Sequence, residues 1–280
     1  MGALWMLLAG VLFACMGVFV KLGAAHFTHV ELVFYRSFFG LLLVYAILRR
    51  RQVNVATAYW RTHLWRGLSG TVALALFFYC IAALPLATAV TLNYTAPLFL
   101  TILTMLVFKD KFHLPLTFSI GLGFCGVVLL LHPTLERDQL TIGLMGLTSG
   151  FLAGVAYLNV KQLGMMGEPA TRTVFYFSLT AALGSGAWML FFGEVHAIAP
   201  RGFAILLGLG ATATLAQLAM THAYRVGRTL VVGSLAYSTI IFASLFGMLL
   251  WGETLTAASW LGMAFIVASG VLSLRLSPKH

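Results

Sequence analysis

Apolar runs of about 20 residues follow one another along almost the whole of this chain. No other feature limits its fold more. A run of that length crosses a hydrocarbon core ~30 Å thick as an α-helix. In lipid every backbone N–H and C=O must be satisfied within the protein, so only helices and closed barrels can span it. A barrel would need two-residue alternation, which is absent. The chain of 280 residues is 61% hydrophobic and only 9% charged, too few charges to cover a water-soluble globule of this size. The fold class that follows is an all-α polytopic membrane protein.

Ten transmembrane helices are predicted, at about 3–22, 30–48, 66–84, 86–108, 115–131, 142–163, 171–192, 202–224, 229–251 and 257–275. The first run lacks a charged leading segment and a small-residue cleavage site, so it reads as a retained span and not a signal peptide. Pro85 falls at a short turn, Pro115 suits the first turn of a helix, and Thr256 suits an N-cap. The net charge of +10 is spread between apolar runs and forms no basic domain, which excludes nucleic acid as a partner. With the N-terminus inside, Arg49, Arg50, Arg51, Arg61, Arg66, Lys109, Lys111, Lys161, Arg172, Arg225, Arg228, Arg275 and Lys279 fall on the cytoplasmic side. Lys21, Arg137 and Arg201 fall on the other. This asymmetry predicts a multi-pass protein of the bacterial inner membrane with both termini cytoplasmic. Cys15, Cys80 and Cys125 lie in apolar runs without metal-ligand spacing and read as small core residues.

The chain also repeats itself. Gly10, Ala14, Gly17 and Lys21 are matched 140 positions later by Gly150, Gly154, Tyr157 and Lys161. Phe34-Tyr35 returns as Phe175-Tyr176, and Tyr94 with Asp110 returns as Tyr237 with Glu253. Two five-helix units, 1–135 and 140–280, are therefore expected around the polar loop His132–Gln139. An odd number of spans per unit makes the repeats inverted, an architecture common among alternating-access carriers.

The order of these motifs resembles the EamA family, the ten-helix branch of the drug/metabolite transporter superfamily. The stretch from Tyr237-Ser238-Thr239 to Gly252-Glu253 is similar to that family's repeat-terminal pattern. Its first-half counterpart is Tyr94-Thr95-Ala96-Pro97, ending at Lys109-Asp110-Lys111, where Lys109 replaces the glycine and Asp110 the glutamate. Phe34-Tyr35-Arg36 resembles the family's aromatic-arginine pair. The resemblance implies an inner-membrane carrier of small organic solutes, often amino acids or related metabolites, frequently moving outward. Leu64-Trp65-Arg66-Gly67 also looks like the branch holding S-adenosylmethionine carriers.

Several polar residues inside the apolar runs are candidates for solute binding. Arg36 lies about a turn and a half within the second span, and an intramembrane cation is a functional candidate by default. Lys21 ends the first span at similar depth. Together with Tyr35 they suggest an electropositive vestibule for a carboxylate-bearing solute; the competing reading is snorkelling to headgroups. Asn93 and Tyr94 on the fourth span, with Tyr237 and Ser238 on the ninth, sit nearer the midplane. Tyr157 and Gln217 add hydrogen-bonding groups. These either line a cavity or hold helices together. Lys161, His222, Asp110 and Glu253 are candidates for gating or coupling, against plain anchoring or structural roles. The matched glycines read as packing surfaces for neighbouring helices. Arg36 has Phe177 as its counterpart, so symmetry breaks there.

Enzyme readings lack parts: no Walker loop, His-x-x-Glu-His or Cys-x-x-Cys occurs, and no cofactor or metal is expected. The function predicted is a secondary transporter exporting amino acids or related carboxylate-bearing metabolites by alternating access. Alternatives are an uptake or exchange carrier for S-adenosylmethionine-like solutes and a broad drug exporter. The partners are a small-molecule substrate and the lipid bilayer, with monomer and homodimer both open.

Overall fold

The computed structural model describes residues 2–108, 137–193, 195–226 and 235–276, with isolated positions between 118 and 129. Its helices are α1 (Gly2–Gly23), α2 (His29–Arg50), α3 (Trp60–Ala83), α4 (Leu86–Asn93), α5 (Ala96–Phe108), α6 (Arg137–Met165), α7 (Ala170–Phe192), α8 (Pro200–Val226), α9 (Ser238–Trp251) and α10 (Ala257–Leu276). Among the described residues there is no strand, and six helices are long and apolar enough to cross a membrane: α1, α2, α3, α6, α7 and α8.

Local chemistry sets the helix limits. Thr28 and Glu31 form a capping box at the start of α2: the Glu31 N–H donates to Thr28 Oγ1 at 3.2 Å and the Thr28 N–H to Glu31 Oε2 at 2.7 Å. Thr256 Oγ1 accepts the Ser259 N–H at 3.2 Å ahead of α10, the cap expected of it. Gly252 closes α9 at φ +62°, a left-handed position that glycine occupies without strain.

Two spans differ from expectation in ways the sequence explains. The apolar run 86–108 is two helices, with Tyr94 and Thr95 between them. Pro97 has no N–H to give to the carbonyl four residues earlier, so the α-helical ladder cannot run through that point. In addition α3 starts at Trp60, six residues before the predicted 66, which moves Arg66 about 9 Å into the helix at 1.5 Å per residue. Most of the expected span 115–131, and residues 227–234 ahead of α9, lie outside the described residues.

The helices pair across the middle of the sequence: α1 lies along α8, α3 along α6, and α2 along α7. Small residues permit these approaches. A Cβ on Gly10 would come within 2.7 Å of Ser238 Oγ, and one on Gly150 within 2.7 Å of the Leu92 carbonyl. Both glycines thus press against chain breaks in other helices. The main core surrounds α4, where Leu86, Val90 and Leu92 meet Phe78, Ile81, Tyr237 and Ile240.

Candidate functional site

Polar contacts collect at two ends of the bundle, and a third group of charges lies between them. At one end the Lys21 ammonium pairs with Glu253 and donates to the Leu84 carbonyl at 3.3 Å. It also stands 5.0 Å from the centre of the Trp251 ring. The Glu253 carboxylate accepts the Leu86 N–H at 2.9 Å, capping α4. Near the same end Glu31 is fully buried and accepts the His196 N–H at 2.8 Å, with His196 Nδ1 2.9 Å away. Glu31 is therefore turned to the α7–α8 loop and not to Arg36.

At the opposite end Glu168, in the turn before α7, binds the loop between α2 and α3. It accepts from the Thr57 hydroxyl at 2.6 Å and from Arg172 Nη1 at 2.9 Å. Arg172 Nε donates to the Asn54 carbonyl at 2.9 Å, and the Tyr176 hydroxyl to the Val55 carbonyl at 2.8 Å. Burial acts to raise the Glu168 carboxyl, but the Thr57 and Arg172 hydrogen bonds and the charges of Arg172 and His63 outweigh it. They hold the group below the usual carboxylate range.

Between these ends Arg36 on α2 and Arg66 on α3 are only 8% and 7% exposed. Arg36 Nε and Arg66 Nε and Nη1 are buried without a hydrogen-bond partner among the described residues. No described carboxylate pairs with either guanidinium. Both face the Phe177 ring of α7, Arg66 at 3.7 Å and Arg36 at 5.7 Å from its centre. The sum of these distances, 9.4 Å, is the greatest separation the two carbons can have. Like charges at that range repel by about 2 kcal/mol at an effective dielectric near 20. Tyr157 lies in electrostatic reach of both arginines. Tyr157 is 42% exposed.

A cavity runs beside this group between α2, α7 and α8, from Ile47 and Ala170 up to Arg36, Phe177, Ser178, Thr214 and Gln217. It encloses about 40 Å³, room for a few waters and far below the roughly 300–1,000 Å³ of a small-molecule pocket. Among the described residues no three His, Cys, Asp or Glu side chains cluster as metal ligands.

The predicted site residues therefore separate. Arg36, Tyr157 and Gln217 gather at or beside the cavity. Lys21 and Glu253 pair with each other. Tyr35 packs its ring against Phe27 and Phe34. Asn93 donates to Ser149 Oγ at 2.9 Å and the Tyr94 hydroxyl to Thr239 Oγ1 at 2.9 Å, contacts that join α4 to α6 and the α4–α5 turn to α9. The Tyr237 ring lies 6.2 Å from that of Tyr94, and Ser238 faces Gly10. His222 is on an exposed face of α8 with its ring against Trp5. Lys161 is in the last turns of α6, and Asp110 lies outside the described residues. Arg66 was missed as a site residue because a helix start at 66 placed it at the membrane edge. The signal available was Trp60-Arg61-Thr62-His63-Leu64-Trp65, which continues the helix backwards, and Gly70 one turn on. A Cβ at Gly70 would meet Arg66 Nη1 at 2.7 Å and Phe177 at 3.0 Å, so the glycine makes room for the pair.

The sequence model of the EamA-like transporter family matches residues 1–132 and 140–275. An uncharacterized transporter of Helicobacter pylori (strain J99) is 30% identical over 97% of this chain and 93% of its own length. The pseudopaline exporter CntI of Pseudomonas aeruginosa (strain UCBPP-PA14) is 28% identical over 96% of this chain and 94% of its own. A riboflavin transporter of Vibrio cholerae is 28% identical over 96% and 91%. A solved structure 17% identical in sequence superposes with a TM-score of 0.69, covering 97% of this chain and 96% of that one. At that identity the likeness shows the fold.

Proposed function

This chain belongs to the EamA-like transporter family, a family of multi-pass membrane transporters, and from that premise we propose that it exports carboxylate-bearing organic metabolites, amino acids or their relatives, across the bacterial inner membrane. The observation that carries the reading is Arg36: a buried guanidinium at the head of a cavity, its Nε without a partner and no carboxylate paired with it among the described residues. A buried cation is tolerated at a cost of a few kcal/mol and is stabilised by an anion that reaches it. The same positive charge repels cationic solutes, which weighs against S-adenosylmethionine-like substrates and cationic drugs. One relative is named as an exporter, in keeping with outward movement.

The mechanism is alternating access by two inverted five-helix halves, 1–135 and 140–280, with both termini cytoplasmic. The pairing of α1 with α8, α3 with α6, and α2 with α7 supports it, because exchanging the halves maps this set of pairs onto itself. Arg36 faces the ring of its counterpart Phe177, 5.7 Å from its centre, as residues near a two-fold axis do. In this frame the Lys21–Glu253 end faces the periplasm and the Glu168 end the cytoplasm. Since the cavity is too small for a solute, the halves must separate on one side to load it and on the other to release it.

Flux in proteoliposomes tests the proposal. Preloaded vesicles should release labelled amino or carboxylic acids saturably, and collapsing the proton gradient separates antiport from facilitated diffusion. Absence of saturable flux for every carboxylate, under every ion gradient, would sink it.

A further inference from the structure

Arg66 shares the Phe177 ring with the cavity-lining Arg36 and is as deeply buried. Both guanidinium groups carry nitrogen atoms without partners, both approach the Phe177 ring, and Tyr157 is the one polar neighbour that interacts with the two of them among the described residues. Gly70 holds space open for Arg66 and Phe177 together. Snorkelling does not explain Arg66: its head lies on Phe177 at 3.7 Å inside the bundle, where a lipid anchor would point outward. Helix gluing does not explain it either, since gluing would use Nε and Nη1, which have no hydrogen-bond partner among the described residues. Two buried cations this close, with no carboxylate paired to either among the described residues, are neutralised by a ligand that brings two negative charges. A monocarboxylate leaves one guanidinium uncompensated.

We propose that Arg36 and Arg66 form one two-point anion site, and that the solute carries two carboxylate groups, one for each guanidinium, its carbon frame lying against Phe177 and Tyr157. The proposal rests on the carrier reading of the same cavity and narrows it. The pairing of a guanidinium with a carboxylate is bidentate and directional, so spacing between the two acids becomes a selection rule. The 9.4 Å limit on the separation of the guanidinium carbons favours short-chain diacids over long ones.

The test uses the full-length protein in detergent and in proteoliposomes, with succinate, glutarate and adipate, the half-amide of each, and inorganic phosphate. Wild type should bind its best diacid at least tenfold more tightly than the matching half-amide. Arg66→Gln should erase that preference by weakening the diacid ten- to hundredfold while changing the half-amide less than threefold. Arg66→Lys should keep part of it. Gly70→Ala, which retains both charges but crowds Arg66, should lower diacid affinity and serves if Arg66→Gln does not fold. Equal binding of diacids and half-amides by wild type overturns the two-point site, as does phosphate competing as well as the best diacid. If monocarboxylates still show saturable flux that depends on Arg36 and ignores Arg66, the carrier reading stands and this site falls. Tight, Arg66-dependent diacid binding with no flux upholds the site and overturns the carrier reading.

Discussion

Lys21 and Arg36 are both cations near the end of an apolar helix, yet their surroundings differ completely. Lys21 has a carboxylate, a carbonyl and an aromatic face within reach. Arg36 has a phenylalanine ring and a cavity. The difference separates a charge paired within the bundle from one with no ion-pair partner among the described residues. Pairing offsets part of the cost of burying a cation, whereas an unpaired one bears that cost in full and is by default a candidate for ligand binding. The carboxylates follow the same division, since Glu31, Glu168 and Glu253 all lie at the ends and each binds a segment from the other half of the sequence.

The comparison breaks most visibly at Arg36. Arg36→Gln should reduce flux of carboxylate solutes about thirty- to hundredfold, the loss of a charge-assisted hydrogen-bonded pair, and reduce flux of their amides much less. Equal losses for both in vesicle assays would make Arg36 a structural residue like Lys21. Next in size, Glu253→Gln strands the Lys21 ammonium and leaves it a weaker acceptor; unfolding in detergent should show a loss of about 2 kcal/mol. Adding Lys21→Met should restore part of that loss, and a double-mutant cycle without coupling would refute the pairing.

A smaller effect is expected at the opposite end and depends on pH. The Glu168 carboxyl is held below its usual range, so its stabilising contacts are fully present above the unfolded-state value of about 4.3. They weaken as pH falls through the lower folded-state value. Wild type and Glu168→Gln should therefore differ in thermal stability at neutral pH and converge in acid; a constant gap across the range would contradict the assignment. The smallest change is Tyr176→Phe, which removes one exposed hydrogen bond to Val55 and should cost about 0.5–1 kcal/mol with solute affinity unchanged. A large affinity loss there would erase the distinction between ends and middle.

Much of the architecture was legible in residues alone. Apolar length fixes helices because lipid offers the backbone no partner, and Thr256 marks a helix limit by its side-chain chemistry, whereas the run 86–108, expected as one span, breaks after Asn93. The site was legible only in part. Arg36 stands out as a charge inside an apolar run, whereas Arg66 hid behind a helix start placed one and a half turns too late. Lys21 and Glu253 are 232 positions apart, and no local pattern says that their side chains meet. Sequence by itself determined that this chain crosses a membrane as helices, because that depends on continuous apolar length. Only the tertiary structure decided which buried charges find partners and which have none among the described residues, because pairing depends on how helices distant in sequence approach.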